Sequence, residues 1–199
     1  MPHINYALDK VSSVYCVHRK RVLLIFHKKL QVWLPPGGHV EPNETSAQAA
    51  HREFEEECGV PVFLTNLGPE VPYDGRARSL PLPFATDVHP ITDTHSHEVN
   101  CYLGKLLFDH PAEPLLAWRI KPNYAEIEDA CWFSLSALRD VNPTFESARL
   151  YAKLAIYLSV FPPHERKIAP VDEFEGWIEL QPDDKLPDVI VADVIGSAI

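Results

Sequence analysis

Three short β-branched and aromatic runs open the chain, at residues 11–17 (VSSVYCV), 22–26 (VLLIF) and 31–34 (QVWL). Basic breaks at 18–21 and 27–30 separate them, so the pattern predicts three strands joined by turns. The PPGG stretch at 35–38 is a hard stop. The period then changes from two to that of a helix over 45–58. Thr45 and Gln48 have the spacing of a capping box, and Gly59 stands where a helix ends. A further strand is expected at 60–64. Residues 68–94, with prolines at 69, 72, 81, 83 and 90, read as a long irregular loop with a turn at Asp74-Gly75. Strands are expected at 99–108 and 126–133, joined by a proline-containing connection over 109–125. A short helical turn at 134–140 precedes an amphipathic helix at 144–161, which Pro162-Pro163 terminates.

The last segment differs in character. Residues 171–199 carry eight acids and one lysine, and 186–195 are rich in β-branched residues. We expect one domain over 1–161 and an acidic C-terminal extension over 162–199. The extension is expected to pack on the domain or on a partner subunit, which leaves a homodimer open.

Composition narrows the class. The 199 residues are 46% apolar and 23% charged, enough for one domain that folds without a disulfide or metal staple. The formal charge of −10 argues against stable nucleic-acid binding and against a basic membrane-surface protein. No apolar run is long enough to span a bilayer, and MPHINYALDK lacks the marks of a signal peptide. The four cysteines are dispersed without a C-x-x-C, as in a reduced cytoplasmic protein. An anionic substrate would need something other than net charge to attract it, and a metal cation is the usual answer.

The charge is concentrated. Residues 38–60 hold six acids and one arginine. In the helix, Glu53, Glu56 and Glu57 are three and four positions apart and share a face, while Glu55 points elsewhere. Carboxylates so placed repel one another unless a cation sits between them. Hard oxygen ligands suit Mg²⁺ or Mn²⁺. The plain alternative is a solvated acidic face. Ala47, Ala50 and Phe54 lie on the other side and can bury against a sheet.

The upstream context favours the first reading. Gly38, Glu44, Arg52, Glu53, Phe54, Glu56, Glu57, Gly59 and Val60 fill every fixed position of the pattern Gly-x5-Glu-x7-Arg-Glu-U-x-Glu-Glu-x-Gly-U, where U is aliphatic or aromatic. This is the Nudix box, and the chain resembles a Nudix hydrolase over roughly residues 11–161. The resemblance implies an α/β fold, an α/β/α sandwich with a mixed β-sheet. It implies a hydrolase that cleaves a pyrophosphate linkage in a nucleoside diphosphate joined to another moiety, with water as nucleophile. Its partner is then a small-molecule phosphoanhydride. The resemblance also implies that Glu53, Glu56, Glu57 and the carbonyl of Gly38 bind Mg²⁺ or Mn²⁺, with Glu44 and Arg52 supporting the site.

The general base has two sources in such enzymes. Glu56 comes first, and Glu126 or Glu128, expected on one face of a strand, are the alternatives. Arg76 and Arg78 in the long loop are candidates for substrate phosphate. Tyr73, Phe84, Trp33 and Trp118 are candidates for base stacking or, more ordinarily, core. His95 and His97 share a strand face, but no third metal ligand is evident beside them. Marks similar to those of ADP-ribose, dinucleoside polyphosphate and coenzyme A hydrolases are missing, which argues against those three substrates. A non-catalytic Nudix-fold nucleotide-binding module or regulator is the competing reading. An eroded box would favour it, and this box is intact.

Overall fold

The computed structural model describes residues 7–69, 72, 74–106, 119–161, 189–191 and 193–194. In chain order the strands and helices are β1 (Ala7–His18), β2 (Arg21–His27), β3 (Val32–Leu34), β4 (Gly37–His39), α1 (Ser46–Cys58), β5 (Val62–Leu64), β6 (Ala85–Thr92), β7 (His95–Leu106), β8 (Arg119–Ile120), β9 (Ile127–Ser134), α2 (Glu146–Val160), β10 (Val189–Val191) and β11 (Asp193–Val194). A 3-10 turn at Ala137–Arg139 follows β9.

Strand alternation explains the layers. In β1, Val14 and Cys16 point to one side and Tyr15 and Val17 to the other, and all four are buried. The neighbouring β2 splits likewise, Leu23 and Ile25 from Val22 and Leu24. A sheet apolar on both faces needs two covers. Ala47, Ala50, Phe54 and Cys58 of α1 close one face, and Ala152, Ala155 and Ile156 of α2 close the other. The result is an α/β/α sandwich. Its sheet runs β10-β9-β2-β1-β7-β5, with β3 added to β2, β4 to β1 and β6 to β7. The β1–β7 pair is parallel and the other pairs of this sheet are antiparallel, so the sheet is mixed. A separate parallel pair joins β8 and β11.

The capping signals at the ends of α1 act as read. Thr45 Oγ1 accepts from the Gln48 amide at 3.3 Å, and Gln48 Oε1 accepts from the Thr45 amide at 2.9 Å. Gly59 takes the left-handed conformation at φ 67°, and its N–H donates to the Glu55 carbonyl. A Cβ there would stand 2.5 Å from the Lys121 carbonyl oxygen. The helix therefore stops at Cys58, which places the Arg52–Glu57 segment in its last two turns.

Some expectations fail. The proline-rich stretch is not irregular throughout, because residues 85–92 form β6 against β7. Among the described residues β6 pairs with β7 alone, and such an edge strand is where a proline is tolerated. The register also shifts between Pro90 and Thr92. β7 begins at His95 rather than 99, since its first residues pair with the start of β1. Residues 107–118 and 162–188, with the first part of the expected 109–125 connection and most of the acidic extension, lie outside the described residues, while 119–120 within that connection form β8.

Candidate active site

Two consecutive glycines bring the strand layer onto the acidic helix. β4 runs antiparallel to β1, pairing Gly37 with Ser13 and Gly38 with Ser12. A Cβ on Gly37 would meet the Ser12 carbonyl oxygen at 2.2 Å, and one on Gly38 would stand 2.4 Å from the Glu53 carboxylate. Bare backbone lets β4 lie this close to β1 at Gly37 and to α1 at Gly38.

That approach creates the carboxylate with the largest upward shift among the described residues. Glu57 is 2% exposed, and its Oε2 accepts from the Gly37 amide at 2.8 Å. Burial, reinforced by the nearby Glu53, Glu126 and Glu56 carboxylates, pushes its pKa up to about 8. Glu53 is also raised, by burial first and then by Glu56 and Glu126, against the lowering effect of Arg52. Several acids held together against their own repulsion call for positive charge among them.

Arg52 supplies part of it. Its Nε and Nη2 donate to the two oxygens of Glu44, each at 3.0 Å. Nη1 donates to Glu53 at 2.8 Å and to Glu56 at 3.2 Å, and Nη2 also reaches the His39 carbonyl at 2.9 Å. One guanidinium thus fastens the loop after β4 to the helix and orients two box carboxylates. The same contact holds the Glu44 carboxyl below its ordinary range. The donors left around Glu57 are all oxygen, the chemistry a hard divalent cation requires.

Glu126 stands in the turn before β9, where Asn123 Nδ2 donates to it at 3.2 Å, and its charge reaches both Glu53 and Glu57. Glu128 does not share that environment and instead accepts from Gln31 Nε2 at 3.2 Å. The two were expected on one face. The ladder shifts register here, pairing His27 with Ile127 but Phe26 with Asp129, so strict alternation fails between them.

Arg76 and Arg78 are exposed on the loop that follows Asp74. The Asp74 carboxylate caps that turn through the Arg76 and Ala77 amides, and among the described residues neither arginine side chain touches the acidic cluster. Phe84 packs edge-on against Tyr15 and Tyr151, and Trp33 against Phe26 and Phe133, so both belong to the α2-side core. Tyr73 and Trp118 lie outside the described residues. The four cysteines are buried thiols.

Because the obstacle to a Gly38 side chain is the movable end of Glu53, Gly38→Ala is expected to displace that carboxylate rather than unfold the protein. The expected result is a loss of catalytic turnover of about tenfold or more with a Tm within a few degrees of wild type. Parallel turnover assays and thermal melts check it.

The NUDIX domain family model matches residues 9–154. Over 49 residues the chain is 43% identical to the RNA pyrophosphohydrolase of Erythrobacter litoralis (strain HTCC2594), a match covering 25% of this chain and 30% of that protein. The chain thus spans about a third of that relative's length. Among solved structures, a hydrolase of the NUDIX family from Clostridium perfringens is 28% identical, with a TM-score of 0.61 over 75% of this chain and 97% of its own. The MutT NUDIX hydrolase from Burkholderia pseudomallei is 21% identical, with a TM-score of 0.52 over 75% of this chain and 95% of its own, a likeness of fold. No helix among the described residues is long and apolar enough to cross a membrane.

Proposed function

The chain belongs to the Nudix family, and from that premise we propose that it is a Mg²⁺- or Mn²⁺-dependent pyrophosphohydrolase. Its substrate would be a nucleoside diphosphate linked to another moiety, cleaved by water attack on phosphorus. The observation that supports this most is Glu57, a nearly sealed carboxylate held by the Gly37 amide among three other acids. Carboxylates shifted by burial and by like charges cluster at functional sites.

Glu53, Glu56 and Glu57, with the Gly38 carbonyl, would hold the metal. When bound, a divalent ion polarises phosphoryl oxygens and makes a water molecule easier to deprotonate. The chain's own residues do the rest. The Gly37 N–H occupies one oxygen of Glu57 and fixes the direction of the other. Arg52 ties Glu53 and Glu56 together from the loop side and holds both carboxylates in place. Arg76 and Arg78, exposed on the long loop, would meet substrate phosphates only if that loop moved towards the acidic cluster. A Nudix-type sandwich over 1–161 would carry all of these residues.

Glu56 is the first candidate for the base that takes the proton from water, because it is the most solvent-accessible of the box carboxylates. Glu126 is the second, since its charge is felt by both Glu53 and Glu57. The two separate by experiment. At saturating Mg²⁺, the Gln variant of the true base should lose about 100-fold or more in kcat, and its pH profile should lose the acidic limb. The other variant should keep that limb. If both Glu56→Gln and Glu126→Gln turn over within tenfold of wild type, the assignment of the base is wrong.

A further inference from the structure

Side chains alternate across β4. Gly38 faces Glu53, so the next residue, His39, faces the other way, and its ring stands 5.0 Å from that of His97. This is the α2 side of the sheet, to which Val99, Cys101 and Leu103, in step with His97 on β7, also point. The parallel β1–β7 register sets Asp9 beside His97, and the β6–β7 register sets His89 beside it from the other edge. His95 lies two residues before His97, with its ring 5.0 Å away.

The polar atoms converge. His95 Nε2 is 2.9 Å from Asp9 Oδ2, and His39 Nε2 is 3.9 Å from that same oxygen. The ligand atoms of Asp9, His95 and His97 all lie within 4.8 Å of one another. His89, held by Asp87 at 2.9 Å, backs His97 at a ring distance of 5.9 Å. Tetrahedral zinc at about 2.0–2.1 Å from each ligand would set ligand atoms about 3.3 Å apart. The Asp9–His95 pair, at 2.9 Å, is near that scale, and the other ligand atoms would have to close up to reach it. The side chains have room to turn, with Asp9 and His39 49% and 60% exposed and His95 29% exposed.

We propose that Asp9, His39, His95 and His97 form a second metal site, for a zinc-class transition ion, across β4 from the acidic cluster. Imidazoles with one carboxylate select such ions, whereas the glutamates of α1 are hard oxygen donors suited to Mg²⁺. Four protein ligands close a tetrahedral site, so the ion acts as a staple. It joins β1, β4 and β7, and β4 is the strand whose glycines seat Glu53 and Glu57. The site does not depend on the hydrolase reading, since none of its ligands belongs to the acidic cluster.

Co²⁺ titration of the metal-free full chain in excess Mg²⁺ tests this, because Mg²⁺ fills the oxygen site and tetrahedral Co²⁺ absorbs visibly. Wild type and Glu57→Gln should each take one equivalent of Co²⁺ with tetrahedral bands that Zn²⁺ displaces. H95A/H97A should weaken that binding by about 100-fold or more. Zn²⁺ should raise the Tm of the first two proteins and not of the third. Should the double variant not fold, His97→Gln with an unchanged circular dichroism spectrum serves instead, with the same loss expected. Co²⁺ binding that Glu57→Gln abolishes and the histidine variants leave intact overturns the proposal. So does a folded wild type that binds no Co²⁺ at about 100 µM.

Discussion

Glu57→Gln is expected to lower kcat by about three orders of magnitude while leaving the protein as stable as before or more so. The two effects have one cause. The Gly37 amide donates to Glu57 Oε2 at 2.8 Å, and a glutamine oxygen can accept the same bond. What the variant loses is the negative charge, which the proposed metal needs and the folded chain alone does not. Burial and neighbouring acids raise the pKa of Glu57 to about 8. An acid whose folded pKa is raised binds a proton more tightly folded than unfolded, so stability falls as pH rises from the ordinary carboxylate range of about 4 towards 8. Glutamine removes that fall. In metal-free buffer the variant should therefore exceed wild type by roughly 1–3 kcal/mol at pH 7, a difference that vanishes near pH 4. Urea denaturation at the two pH values, beside single-turnover kinetics, measures both. A variant with wild-type turnover, or one that is destabilised at pH 7 and not at pH 4, contradicts this account of Glu57.

Arg52→Ala should damage activity and stability together. The guanidinium makes five hydrogen bonds, to both oxygens of Glu44, to Glu53, to Glu56 and to the His39 carbonyl. Glu44 and Glu53 have only 13% and 15% of their side chains exposed, so removal leaves two poorly hydrated charges without a partner. Breaking a fully buried pair costs about 3–5 kcal/mol. The guanidinium is a quarter exposed, which reduces the expected loss to about 2 kcal/mol. With Glu53 and Glu56 no longer oriented, kcat/KM should fall about 100-fold. Arg52→Lys separates charge from geometry. It restores the positive charge but not the planar fork, so it should recover most of the stability and little of the activity. Thermal melts and kcat/KM for the pair decide the matter. An Arg52→Lys protein with wild-type kinetics would show that charge alone suffices.

Local signals in the sequence carried the helix and its site furthest. The Thr45–Gln48 box and Gly59 mark both ends of α1, and the spacing of Glu53, Glu56 and Glu57 follows from helical geometry alone. The same spacing does not reveal depth, and Glu57 is sealed while Glu56 is open because β4 crosses the helix at Gly37 and Gly38. The sandwich with its mixed sheet came instead from the resemblance carried by the box, and the structure has it. What escaped was set by long-range pairing. β6 hides among prolines because its partner, not its composition, makes it a strand. Glu126 and Glu128 part company at a register shift. Asp9, 86 residues from His95, joins the histidines only through the parallel β1–β7 ladder. The charge of −10 also changes meaning, since part of it is an acidic cluster suited to a cation rather than a diffuse barrier to anionic substrates.

The most direct test is a hydrolysis panel of nucleotide sugars, dinucleoside polyphosphates, (deoxy)nucleoside triphosphates and an RNA with a 5′ polyphosphate. Each is assayed with Mg²⁺, with Mn²⁺ and after complete chelation, in ¹⁸O-labelled water. The account predicts that at least one class is cleaved at a pyrophosphate linkage, with one ¹⁸O appearing on a phosphate product. Chelation should abolish that turnover, and either ion should restore it. Tight nucleotide binding without cleavage of any class, at any metal concentration, would contradict it and identify a non-catalytic binding module.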